Sequence, residues 1–220
     1  MGSNILLNSH SNTSLASVLK MLQATAMKPF AQASPMPAVA NHSAEFYNHE
    51  RNAVFMQEWI CVGRTDEIPA TGDYLTHNIA SVPVLIVRQA SNEIAGFVNA
   101  CAHRFMCLMP KPAGNARAFT CRYHAWTYDL DGILKRAPFM EMKEGFDLDQ
   151  HRLHSLHTEI WEGFIYVTIA KTPSNSVASS LDGLRKKIVG RYDMGSYQTV
   201  MRESMVWDAN WKNLIENFIE

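Results

Sequence analysis

Cys101-Ala102-His103-Arg104 and, sixteen residues further on, Cys121-Arg122-Tyr123-His124 decide how this chain is read. One Cys–His pair is spaced C-x-H and the other C-x-x-H. Thiolate and imidazole together are a ligand set for borderline-soft transition metals. Strand-like sequence leads into the first pair and out of the second, so both pairs are expected at loop tips on a β framework.

That framework extends in both directions. Residues 94–99 lead into Cys101, and Trp126-Thr127-Tyr128 reads as a strand followed by the hairpin signal Asp131-Gly132. Upstream, Pro69-Ala70-Thr71-Gly72-Asp73 is a turn before a strand over 74–79. Residues 82–87 are β-branched and nearly continuously apolar, as a buried strand requires, and Ser91-Asn92 is a turn. Downstream, 153–160 and 164–169 pair around Trp161-Glu162-Gly163. Ser43 ahead of Glu45-Phe46 predicts a helix over 43–59 with Phe46, Val54, Phe55 and Trp59 on its apolar side. Cys61 then opens a strand as a small buried hydrophobe. Many short strands with regularly spaced turns give a mainly β fold, a sandwich or small barrel.

Composition limits what such a fold does. The 220 residues are 47% hydrophobic and 19% charged, as in an ordinary soluble globular protein of one domain and part of another. A net charge of -1 offers no footprint for nucleic acid or an anionic membrane, and no apolar run reaches bilayer-spanning length. Four cysteines beside histidines suggest metal rather than disulfides, hence a reducing compartment and a cytoplasmic location. Residues 1–42 contain no acid, and Lys20 and Lys28 are their only Lys or Arg residues, which fits neither a signal nor a transit peptide. Leu15, Val18, Leu19 and Leu22 have helical spacing, and Pro29, Pro35 and Pro37 break the next stretch into an extended, partly disordered arm. The strand-rich domain occupies 43–170. From 171 the chain becomes a polar linker, then a helix over 181–192 with a basic run Arg185-Lys186-Lys187. That run reads as a solvated face or a docking surface for an acidic partner. A strand over 197–207 and a helix over 210–220 come last. On that helix Trp211, Leu214, Ile215 and Phe218 share one face, and Asn213, Glu216, Asn217 and Glu220 the other.

The ligand set admits three readings. Structural zinc uses Cys2His2 sets, but finger spacing pairs Cys with Cys and His with His, whereas each arm here gives one of each. A Cys101–Cys121 disulfide leaves the histidines unexplained. A Rieske 2Fe-2S centre, with two His replacing two Cys on one iron, suits two loop tips gripping a cluster. The mixture has an electrostatic reason. Two thiolates and two neutral imidazoles leave the oxidised cluster formally neutral, which raises its potential by hundreds of millivolts over all-Cys clusters. Tyr123 and Trp126 are expected to shield the centre, and Arg104 either pairs with an acid at an interface or is solvated. Cys107 reads as a packed thiol, and His151, His154 and His157 as ordinary strand or loop histidines.

Cys101-x-His103 and Cys121-x-x-His124-x-Trp126, followed by Tyr128-x-Leu130-Asp131-Gly132, resemble the Rieske domain of ring-hydroxylating and related Rieske non-haem iron oxygenases, α (oxygenase) subunit. The resemblance extends to Trp59-x-x-Val62-Gly63, Gly72-Asp73-Tyr74 and Asn210-Trp211-Lys212-x-x-x-Glu216-Asn217-Phe218. It implies a Rieske-type β-sandwich, a helical N-terminal arm and, over 171–220, the first strand and helix of an α+β catalytic domain. It also implies that Cys101 and Cys121 bind the inner iron and His103 and His124 the outer one. The electron would come from a reductase or ferredoxin drawing on NAD(P)H. In the family, the carboxylate at the position of Glu220 links the cluster of one subunit to the mononuclear Fe(II) of the next, and the polar face with Asn217 lines the catalytic pocket. The two histidines and carboxylate that hold that iron lie beyond residue 220. The chain as written is therefore expected to bind a cluster without hydroxylating. The full protein would be a homotrimer or α3β3 oligomer acting with O2 on a small substrate, aromatic or, from Asn217-Phe218-Ile219-Glu220, a quaternary amine. One departure stands out: the family follows its first His with Arg-Gly, but here Arg104 precedes Phe105, which cannot cheaply take positive φ, so the first loop is expected to differ locally. The competing class is a Rieske-type ferredoxin, which explains the cluster but not the sequence over 207–220.

Overall fold

The computed structural model describes residues 13–140 and 142–219. Ten strands dominate: β1 (Ile60–Arg64), β2 (Asp73–Ile79), β3 (Val82–Arg88), β4 (Ile94–Val98), β5 (Ala113–Asn115), β6 (Phe119–Thr120), β7 (Thr127–Tyr128), β8 (Leu134–Arg136), β9 (Ser155–Trp161) and β10 (Phe164–Thr168). The helices are α1 (Leu15–Ala26), α2 (Val39–His42), α3 (Ala44–Glu50), α4 (Val177–Ser180), α5 (Asp182–Ile188) and α6 (Trp211–Ile219). The fold is mainly β, as expected. By contacts the described residues form two compact units, one within residues 54–202 and one of residues 13–53 with 203–219.

In the first unit a seven-stranded antiparallel sheet runs in the order β1-β10-β9-β4-β3-β2-β5, and β6-β7-β8 form a second, three-stranded sheet. The unbroken apolar run of β3 is explained by burial on both faces. Leu85 and Val87 pack into one core with Phe97, Phe119, Trp126, Tyr128 and Leu134; Val84 and Ile86 pack into another with Val62, Ile68, Leu156, Ile165 and Val167. All four β3 residues are 0% exposed. Each contributes roughly 1.5–3 kcal/mol of apolar burial, so β3 is the spine from which both layers hang. The hairpin read at Trp161-Glu162-Gly163 is present. Glu162 and Gly163 have φ of 48° and 81°, and Trp161 pairs with Phe164, as a two-residue turn requires.

Several expectations are corrected. The helix expected over 43–59 is shorter. Ser43 caps it, its Oγ accepting from the Phe46 N–H at 3.2 Å, but after Glu50 the chain widens into a π-helical turn over Arg51–Phe55. Trp59 lies outside the helix, where its indole donates to the Asn175 carbonyl at 2.7 Å. The strand expected over 197–207 does not form. Its apolar residues pair with no strand among the described residues, and Val200 and Val206 are 97% and 102% exposed. The helix expected over 181–192 contracts to α5. The helix expected from Leu15, Val18, Leu19 and Leu22 is present as α1, and in residues 13–42 it is followed by α2, with Val18 and Ala40 packing with Phe46 in a small core of their own. Cys61 is exposed, because β1 turns its neighbour Val62 inward instead.

Candidate metal centre

Both Cys–His pairs sit in loops of one construction. The Cys101 N–H donates to the Met106 carbonyl, and the Cys101 carbonyl accepts from the Phe105 N–H; Cys121 does the same with Trp126 and Ala125. Each turn therefore closes over five residues and needs a left-handed residue four after the cysteine. Phe105 and Ala125 both supply it, each at φ 56°. Phe105 thus takes the positive φ that is costly for its residue type, and the first turn matches the second in construction. The turn keeps its geometry, and Phe105 carries the conformational cost with its ring 81% exposed.

The frame beneath the loops is rigid. Asn99, 2% exposed, locks the first one: its Nδ2 donates to the Met109 carbonyl at 2.8 Å and its Oδ1 accepts from the Met109 N–H at 3.0 Å. The second loop tops the β6–β7 hairpin, where Thr120 pairs with Thr127 and Phe119 with Tyr128. Tyr128 joins the two loops. Its hydroxyl accepts from the Ala102 N–H at 3.0 Å and lies 3.2 Å from the Cys101 sulfur. With its oxygen already accepting, its proton is free to face the sulfur. Burial and the adjacent Cys101 sulfur push the Tyr128 phenol far above its ordinary value, so it stays a proton donor.

The loops sort their donors by depth. Cys101 and Cys121 are 1% and 3% exposed, whereas His103 and His124 are half-buried nearer the surface. The two imidazoles lie side by side with ring centroids 4.7 Å apart. Burial, then the neighbouring His124 and Arg104, push His103 below its ordinary value, favouring the neutral form that ligates. Burial pushes the Cys101 thiol up and Cys121 adds to this, against the Tyr128 hydroxyl and the His103 N–H. A bound cation reverses that balance by favouring thiolate. His124 Nδ1 is buried and has no hydrogen-bond partner among the described residues, an arrangement that a coordinate bond would satisfy. Two thiols behind and two imidazoles in front fit a cluster that divides its ligands between two irons.

The surroundings answer the remaining expectations. Trp126, 3% exposed, stacks on His103 at 4.8 Å and 12°. Tyr123 lies against His124 at 3.8 Å but is itself 53% exposed, so it covers one ring without sealing the site. Arg104 and Cys107 are exposed; the expectation of a packed Cys107 thiol is corrected, since the chain turns Leu108 inward instead. His151 has a more particular place than the sequence suggested. Its Nδ1 lies 2.8 Å from the Asp147 carbonyl, and with Phe146 it backs Trp126 from behind. His154 is exposed, and His157 Nε2 lies 3.1 Å from the Lys171 carbonyl. On α6, Asn217 is exposed; Glu220 lies outside the described residues. Tyr128, Asn99, Phe146 and His151 were missed as parts of the site. A signal existed for Tyr128: it stands two residues after Trp126 on a strand, hence on the same inward face.

This fold with two such loops defines a Rieske-type iron–sulfur protein, and residues 58–155 match the Rieske [2Fe-2S] domain family. A glycine betaine monooxygenase oxygenase subunit from Chromohalobacter salexigens is 36% identical over 180 residues, covering 78% of this chain and 39% of the relative. A carnitine monooxygenase oxygenase subunit from Escherichia coli is 30% identical over 190 residues, covering 86% and 50%. The apo crystal structure of a quaternary ammonium Rieske monooxygenase, CntA, aligns with TM-score 0.80 at 29% identity, covering 86% of this chain and 55% of that one. The likeness thus runs beyond the Rieske domain itself: the chain carries a Rieske [2Fe-2S] domain and is similar to Rieske oxygenases of the oxygenase (α) subunit type. It spans about half the length, or less, of these relatives.

Proposed function

We propose that this chain is the electron-accepting part of a Rieske monooxygenase subunit that acts on a small quaternary ammonium compound. Cys101 and Cys121 would hold the inner iron of a 2Fe-2S cluster and His103 and His124 the outer one. The observation that carries this reading is the sorting of buried thiols and half-buried imidazoles by two loops of matched construction, with His124 Nδ1 left unpartnered. When bound, the cluster supplies a one-electron carrier whose potential is set by its ligands and its surroundings.

The protein's own residues do the rest. Tyr128 presents its proton to the Cys101 sulfur. Trp126, backed by Phe146 and His151, keeps water from the His103 side. Arg104, Arg122 and the open face of Tyr123 are exposed beside the imidazoles, where an electron donor can approach. We assign that donor to a reductase or ferredoxin drawing on NAD(P)H. The electron's destination is a mononuclear Fe(II) of the two-histidine, one-carboxylate kind, which activates O2. Its ligands belong after residue 220, with Glu220 as the bridging carboxylate and Asn217 at the pocket wall. Residues 1–220 then take up the electron without hydroxylating. A homotrimer or α3β3 assembly in the cytoplasm completes the reading.

The substrate class rests on the named relatives and on the Asn217-Phe218-Ile219-Glu220 sequence. The test is reductase-coupled oxygen uptake by the full-length oxygenase with glycine betaine, carnitine and an arene. The proposal expects uptake matched by oxidised product with one of the quaternary amines. Productive turnover of the arene alone would overturn it.

A further inference from the structure

A buried carboxylate from the N-terminal helices holds α6. Glu50, the last residue of α3, is 6% exposed. Its Oε2 accepts from the Lys212 ammonium at 2.8 Å and from the Trp211 indole N–H at 3.3 Å. The Lys212 side chain is 11% exposed, and its ammonium lies 5.2 Å from the Phe46 ring centroid and 5.4 Å from that of Trp211. One residue before this helix, Asn210 Nδ2 donates to the Asn41 carbonyl at 3.2 Å while its Oδ1 accepts from the Lys212 N–H at 3.1 Å. All of these contacts lie at the start of α6. Beyond them the helix has little to grip, since none of its residues is fully buried and Ile215, Phe218 and Ile219 are 51%, 78% and 77% exposed.

The geometry of the grip matters. Trp211 and Lys212 are neighbours, so they point about 100° apart around the helix axis. One oxygen that holds both fixes the rotation of α6 as well as its seat. An apolar contact tolerates some rotation by sliding. A buried ion pair does not, because separating it leaves a charge without water or partner.

We propose that Glu50 and Lys212 are positioning residues that lock the rotation of α6, and with it the direction in which Glu216 and Asn217 face. The lock stands on the contacts above; that the polar face serves an iron site rests on the oxygenase reading. The N-terminal helices then become a working part of the unit that carries α6.

The 220-residue protein tests this with spin labels at Tyr47→Cys on α3 and Asn213→Cys on α6, in a Cys61→Ser/Cys107→Ser background. Interlabel distances are measured with any cluster oxidised. The parent should give one narrow distribution. Glu50→Gln and Lys212→Met should each lose the narrow peak, and the exchange Glu50→Lys/Lys212→Glu should restore it. Should the single variants fail to fold, the neutral pair Glu50→Gln/Lys212→Met decides, with a broad distribution expected in a folded protein. A peak as narrow as the parent's in the single variants, or in that neutral pair, overturns the proposal. Iron and sulfide are assayed on the same samples, so loss of the oxygenase reading shows as an absent cluster in the parent and leaves the distance result intact.

Discussion

Replacing Tyr128 with Phe removes a single oxygen from a side chain that is 0% exposed. That oxygen lies 3.2 Å from the Cys101 sulfur and accepts from the Ala102 N–H at 3.0 Å, so the substitution causes two losses. The Ala102 N–H loses its acceptor in the interior, which costs about 1–3 kcal/mol and lowers the urea midpoint. The second loss is electronic. A ligating sulfur has no proton, so the phenol must donate, and its bond strengthens as the cluster gains negative charge. A hydrogen bond to a charged group contributes roughly 1.5–3 kcal/mol. If the oxidised form keeps about half of that, the difference is on the order of 1 kcal/mol. At about 59 mV for a tenfold one-electron equilibrium, the potential falls by about 50 mV. The assay is a redox titration of wild-type and Tyr128→Phe proteins matched for iron content. An unchanged or raised potential in a folded, fully loaded variant refutes the reasoning.

His124→Cys should retain a cluster with a potential lower by roughly 100 mV or more, since thiolate replaces a neutral imidazole; an unchanged potential in the same titration argues against His124 as a ligand. Phe105→Gly relieves a left-handed backbone at φ 56° and should stabilise the fold by about 1 kcal/mol in urea melts; destabilisation would mean the exposed ring is held by contacts that outweigh the backbone strain. Burial, then the Arg202 guanidinium, pushes His77 below its ordinary 6.5, against the opposing pull of Glu67, so the folded ring is neutral and its Nε2 faces Arg202 Nη2 at 3.4 Å. As pH falls through 6.5 the unfolded chain takes up a proton that the folded ring resists, so this contribution is complete above 6.5 and is lost toward the lower folded value. His77→Gln should flatten the urea midpoint against pH in that window, and an unaltered profile contradicts it.

The metal site was legible because its chemistry is written in four residues at fixed spacing, and the β framework because buried strands need apolar runs and turns need particular residues. What escaped depends on partners the local sequence does not name. Residues 197–207 include Tyr197, Val200, Val206 and Trp207, side-chain types that favour strands, but a strand requires a neighbour, and none pairs with them among the described residues. β5 was invisible for the opposite reason: Ala113-Gly114-Asn115 has no strand signature and pairs with β2 because the fold brings it there. Cys61 and Cys107 look like core residues by type, yet the apolar side chains beside them, Val62 and Leu108, take the interior places. Phe105 was read correctly as costly at positive φ. The loop geometry prevailed because the turn is fixed by the Cys101 carbonyl accepting from the Phe105 N–H, and nothing crowds the exposed ring. Glu50 gave no signal, since its partners lie more than 160 residues away in sequence.

The cluster assignment is probed at its root by iron and acid-labile sulfide analysis of the anaerobically purified chain, with an EPR spectrum of the reduced protein. The expected result is iron and sulfide in equal amounts, about two of each per chain, and the spectrum of a reduced 2Fe-2S cluster with mixed Cys and His ligands. Zinc without sulfide would contradict it.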